Sequence, residues 1–77
     1  MDQIKTGELI RSLRIKNKLT QKQLAEQINV SDKAVSKWET GKGCPDISLL
    51  TELAEVFQVD LQAILKGEIN QLSLIHI

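Results

Sequence analysis

Apolar residues recur along this chain at spacings of three and four, and nowhere alternate over the length of a strand. The pattern divides into five segments, each predicting a short amphipathic helix. The first runs from about Thr6 to Asn17, with Leu9, Ile10 and Leu13 as its stripe and Thr6 as its expected cap. The second runs from about Gln21 to Ile28, with Leu24, Ala25 and Ile28 inward. Thr20 followed by Gln23 makes a capping box at its start. Asn29 stands where the chain must turn, and asparagine tolerates the left-handed backbone better than most residues. The third covers about Asp32 to Thr40, capped by Ser31 and stopped by Gly41, with Ala34, Val35 and Trp38 on one face. The fourth covers about Ile47 to Phe57, capped by Asp46, with Ile47, Leu50, Leu53, Ala54 and Phe57 inward. The last runs from a cap at Asp60 through Leu65, with Leu61, Ile64 and Leu65 inward, and ends at Gly67. The expected core gathers Leu13, Leu24, Ala25, Ile28, Val35, Leu50, Leu53 and Ala54. The predicted fold is all-α, a compact five-helix bundle in one domain over residues 1–67.

The pattern breaks after Gly67. Residues 68–71 are polar apart from Ile69 and read as the start of a linker, and Leu72-Ser73-Leu74-Ile75-His76-Ile77 is abruptly apolar. Those six residues are the translation of CTG TCT CTT ATA CAC ATC, a transposon end used in sequencing adapters. The expectation is that residues 72–77 are adapter-encoded, and that the natural chain continues past Gln71.

Composition changes this picture little. The 77 residues are 42% hydrophobic and 26% charged, an ordinary globular balance. A domain this small buries only about 60% of its unfolded surface, so its core is marginal. The single cysteine, Cys44, cannot form an internal disulfide and fits a reducing compartment. No apolar run of about 18 residues is present, and Met1-Asp2-Gln3 lacks a signal-peptide layout, so a cytoplasmic, nucleoid-associated protein without membrane contact is expected. Charge is more informative. The formal net charge is zero, but Lys5 to Lys42 holds nine Lys/Arg against four Asp/Glu, whereas Gly43 onward holds one Lys against five. A basic half is suited to a polyanion; chance asymmetry of a solvated surface is the other explanation.

The second and third segments are separated only by Asn29 to Ser31. Two short helices joined this tightly can cross steeply and present the second outward, in a shape that fits a major groove about 12 Å wide. Ala25 is small where the crossing is tightest, and Val30 and Val35 can plug it. Spacing alone leaves an αα-corner of any helical domain equally open.

The residues themselves go further. Leu19-Thr20-Gln21-Lys22-Gln23-Leu24-Ala25-Glu26, Val30-Ser31 and Val35-Ser36-Lys37-Trp38-Glu39-Thr40-Gly41-Lys42, followed by Pro45, Leu53-Ala54-Glu55, Val59 and Leu65, resemble the phage repressor/Cro-like (XRE-type) helix-turn-helix family. The resemblance spans about Gly7 to Gly67. Asn29 stands where many relatives have glycine. The resemblance implies a lambda-repressor-like fold and sequence-specific binding of double-stranded DNA by a regulator, expected to be a repressor and a possible homodimer on a two-fold operator. It implies phosphate contacts from Gln21, Ser31, Thr40 and Lys42, and base reading by Ser31, Asp32, Lys33, Ser36 and Lys37. It also implies an ion pair between Arg14 and Glu39. A helix start suits phosphate, since its N–H groups carry partial positive charge. Lys33 and Lys37 are four apart on one face and can donate to guanine, while Asp32 can accept from cytosine or merely complement the helix dipole. Trp38 reads as core in preference to a rim residue.

No nucleophile–base pair, phosphate-binding glycine loop or metal-ligand cluster appears, and the only histidine is in the tail, so neither an enzyme nor a cofactor is expected. The competing function is an antitoxin-like or adaptor module whose third helix contacts a protein.

Overall fold

The computed structural model describes residues 2–67; residues 68–71 and the suspected adapter tail, 72–77, lie outside the described residues. Five helices and no strand are present among them: α1 (Gln3–Lys16), α2 (Gln21–Gln27), α3 (Asp32–Glu39), α4 (Ile47–Phe57) and α5 (Leu61–Lys66).

Polar caps set most of the boundaries. At α2 both halves of the expected box are made: Gln23 N donates to Thr20 Oγ1 at 3.0 Å, and Thr20 N to Gln23 Oε1 at 2.9 Å. Ser31 caps α3 by accepting from Ala34 N at 3.1 Å. Asp46 caps α4 through Leu49 N at 2.9 Å and also takes the Ser48 hydroxyl at 2.8 Å. These bonds favour the ionised form, so the Asp46 carboxyl sits below its ordinary range.

Three expectations are corrected. Helix α1 begins at Gln3, not Thr6, because Asp2 caps it by accepting from Ile4 N and Lys5 N. Thr6 is buried inside the first turns, where its hydroxyl donates to Ile64 O at 3.1 Å and joins α1 to the end of α5. Asp60 occupies the cap position of α5 but makes no side-chain bond there. Ile47 is 60% exposed, because the α4 stripe runs beyond the packed surface in its first turn.

All eight expected core residues are buried in one cluster, with Ile10, Trp38, Phe57 and Ile64 added to it. Trp38 is therefore core. Helix α1 packs on α3 and α5, α2 on α3, and α4 on α5. The α1–α3 contact is backbone against backbone: a Cβ on Gly7 would stand 1.9 Å from Trp38 O. Glycine costs about 1 kcal/mol relative to alanine inside a helix, and this approach is what it permits. Asn29 does take the left-handed backbone, φ 61°, as do Lys18 and Gln58.

Gly7→Ala is expected to force α1 off α3 and to destabilise the domain by about 1–3 kcal/mol or more; an unchanged thermal melt would contradict the close approach. Asp46 supplies a pH test. A carboxyl depressed in the folded state contributes stability above the ordinary carboxylate range, and loses it as pH falls through its folded-state value. Asp46→Asn keeps a capping side chain, so acid titration of stability is expected to be shallower in the variant than in the wild type below that range.

Candidate nucleic-acid interface

The α2–α3 pair is built around Ala25 and Val35, both buried, with Val30 packed beneath the turn that Asn29 makes. Val30 N donates to Ala25 O at 2.9 Å and closes that turn. Burial of Val35 and Trp38 fixes which way α3 faces. Its opposite side carries Asp32, Lys33 and Lys37, all exposed, with Ser36 half-buried between them. Ser31 is exposed at the helix start; its oxygen is used as the cap, which leaves its hydroxyl proton for an outside acceptor. Five candidate base-reading positions thus share one surface.

The end of α3 brings the loop back beside that surface. Gly41 adopts φ 74°, and Lys42 N donates to Lys37 O at 2.9 Å. A Cβ at Gly43 would stand 3.9 Å from Lys37 Cβ, so Lys42 and its loop flank the exposed face. Thr40 is exposed, but its hydroxyl is directed at Ser36 O (2.9 Å) and Lys37 O (3.2 Å). As it stands, Thr40 offers an outside group only its oxygen, an acceptor. A phosphate contact from Thr40 would require that hydroxyl to turn away from its own helix.

Beneath this candidate surface lies a polar network. Arg14 Nε donates to Glu39 Oε2 at 2.7 Å, and Arg14 Nη2 to Glu39 Oε1 at 3.0 Å, in the two-pronged geometry of a strong pair. The Arg14 side chain is 12% exposed and that of Glu39 2%. Arg14 Nη1 reaches Leu19 O at 2.8 Å, at the approach to α2. One guanidinium thus ties α1 to both limbs of the helix pair. Hydrogen bonding to Glu39 pushes the Arg14 pKa up from an already high value, against the opposing effect of burial. Glu39 Oε1 also accepts from Gln21 Nε2 at 3.1 Å. Sequence reasoning places Gln21 at the surface and Glu39 in an ion pair but misses the link between them. Nothing in the spacing of residues on different helices signals it.

Removing Glu39 strands Arg14 in a mostly buried position. Glu39→Ala is expected to cost about 3–5 kcal/mol, read from the denaturation midpoint in urea. A loss below about 1 kcal/mol would place the pair in the exposed class.

Known proteins agree with this architecture. The helix-turn-helix family profile matches residues 10–64. The chain is 46% identical over 62 residues to the HTH-type transcriptional activator BcrR of Enterococcus faecalis, covering 80% of this chain and 30% of that protein. It is 35% identical over 65 residues to Repressor protein C2 of Salmonella phage P22, covering 84% and 30%. The chain therefore spans about a third of the length of each of these relatives. The crystal structure of the restriction-modification controller protein C.AhdI from Aeromonas hydrophila superposes with a TM-score of 0.75 at 24% identity, over 82% of this chain and 96% of that one, which is a likeness of fold. With more than half its length matched by the family profile, this chain belongs to the helix-turn-helix family, in its phage-repressor-like (XRE) branch.

Proposed function

We propose that this domain binds double-stranded DNA as a transcriptional regulator, with α3 in the major groove. The observation that carries the proposal is the outward face of α3. Lys33, Ser36 and Lys37 stand there on a helix whose other side, Val35 and Trp38, is locked in the core. Lys33 and Lys37 can donate to guanine O6 and N7, and Ser36 to several base edges. Asp32 and Ser31 stand at the helix start, where base edges and backbone are both within reach. Gln21, Ser31, Lys42 and, after rotation of its hydroxyl, Thr40 serve the phosphates. Such contacts set register without reading sequence.

Supporting this reading, one relative is named an HTH-type transcriptional activator and another a repressor protein. Of the two signs we take repression, because a domain that occupies DNA blocks access without any further contact. Two copies on a two-fold operator would read half-sites about one helical turn apart, roughly 34–36 Å. The place of action is the cytoplasm, on the nucleoid; no helix of the described residues is long and apolar enough to cross a membrane. The domain acts by binding, without a chemical step and without a cofactor.

The test is binding of the wild type, Lys37→Ala and Lys42→Ala to a selected and a scrambled duplex across salt. Lys42→Ala is expected to weaken both duplexes alike and to lower the salt slope by about one. Lys37→Ala is expected to cost about 1–3 kcal/mol, mainly on the selected duplex. Equal losses on both duplexes for Lys37→Ala would remove it from the reading set. No duplex binding by the wild type at low salt would favour the antitoxin-like or adaptor function instead.

A further inference from the structure

Glu39 is a carboxylate next to a surface assigned to DNA, and by charge alone it opposes binding. Its hydrogen bonds say otherwise. Glu39 Oε1 accepts from both Arg14 Nη2 and Gln21 Nε2, while Oε2 accepts from Arg14 Nε. A carboxylate can only accept, so Gln21 must turn its amide nitrogen, not its carbonyl oxygen, toward Glu39. That nitrogen carries a second N–H, and Gln21 is half-exposed at the first position of α2. We propose that Glu39 is a positioning residue for DNA backbone binding: it holds the Gln21 carboxamide so that one N–H is satisfied inside and the other is presented to a phosphate. The proposal rests on the DNA-binding function above.

The physical advantage is preorganisation. A free glutamine side chain loses rotamer entropy when a ligand fixes it. Here folding has already fixed it, through an acceptor that is itself immobilised by the two-pronged grip of Arg14. The positive guanidinium also offsets the negative charge that would otherwise repel the phosphate. An acidic side chain thereby contributes to binding a polyanion.

The sign of one substitution separates positioning from simple Coulomb repulsion. Glu39→Gln removes a negative charge beside DNA, which by charge alone strengthens binding. If Glu39 acts through Gln21, binding weakens: an amide nitrogen in place of Oε2 meets Arg14 Nε donor to donor, which opens the two-pronged grip that holds Oε1 in place for the Gln21 amide. Binding is measured for Gln21→Met, Glu39→Gln and the double variant on the selected and scrambled duplexes, at a temperature where circular dichroism shows each to be folded. Gln21→Met is expected to lose about tenfold on both duplexes, the strength of a hydrogen bond to a charged group. Its salt slope is expected to be unchanged, since a neutral donor releases no counterion. Glu39→Gln is expected to lose a similar factor, and the double variant no more than either single one.

Tighter binding by Glu39→Gln, or losses that multiply in the double variant, would overturn the positioning role while leaving the DNA-binding function intact. No effect of Gln21→Met on either duplex would remove Gln21 from the phosphate contacts, and the proposal with it. Should Glu39→Gln fail to fold, the wild type decides by NMR relaxation. The Gln21 side-chain amide is expected to be as ordered as rigid backbone, with an order parameter of about 0.85, and a value below about 0.6 would overturn the proposal.

Discussion

The orientation of α3 depends on one buried ion pair. Arg14 comes from the last turn of α1 and Glu39 is the last residue of α3. Their union, with the third branch of the guanidinium on Leu19 O, fixes three parts of the chain to one another. Replacing such a pair by apolar residues of equal size is often neutral or even stabilising, so raw stability is a poor explanation for it. Direction is a better one. Apolar contacts at Val35 and Trp38 say which face of α3 is inward, but a hydrophobic contact has no required angle. A fork of hydrogen bonds does, and among the described residues no buried side-chain polar atom is left without a partner.

The rest of the fold serves that geometry at close quarters. Gly7 lets the backbone of α1 meet the end of α3 at Trp38, which shortens the span Arg14 must cross. Thr6, in the turn beside it, ties the same helix to the Ile64 carbonyl of α5. The exposed side of α3 is thus carried on a helix held from beneath by backbone contact, core burial and the ion pair together. Rigidity of that kind suits the base-reading role proposed for this surface, because a contact misplaced by a rotamer or a small tilt loses its bidentate geometry.

Much of this was legible in the sequence where a local cause decided the structure. The caps Thr20, Ser31 and Asp46 act within three residues of themselves, and they mark the helix starts as expected. The outward set on α3 follows from a period of 3.6 and from the burial of Val35 and Trp38. Legibility ended where a distant partner decided. Thr6 looks like a cap, but its hydroxyl serves Ile64, far along the chain, and the cap falls to Asp2. Asp60 has the right position but not the bond. Asn29 and the glycines at 41 and 67 announce left-handed turns by residue type; Lys18 and Gln58 take the same backbone without announcing it. In those two cases the chain turns because Leu19 and Val59 must return to the core, which outweighs a local cost of about 1–2 kcal/mol. The Gln21–Glu39 bond belongs to the same class, since only the packed helix pair brings the two side chains together.

The central claim is that the face of α3 opposite Val35 and Trp38 meets DNA. Titration of the ¹⁵N-labelled domain with a selected duplex, followed by amide shifts, tests it most directly. The account predicts the largest changes from Ser31 to Lys37, with further changes at Gln21 and Lys42, and little change at Glu52, Glu55 and Gln62. Changes centred on α4 and α5, with the outward residues of α3 unmoved, would contradict it.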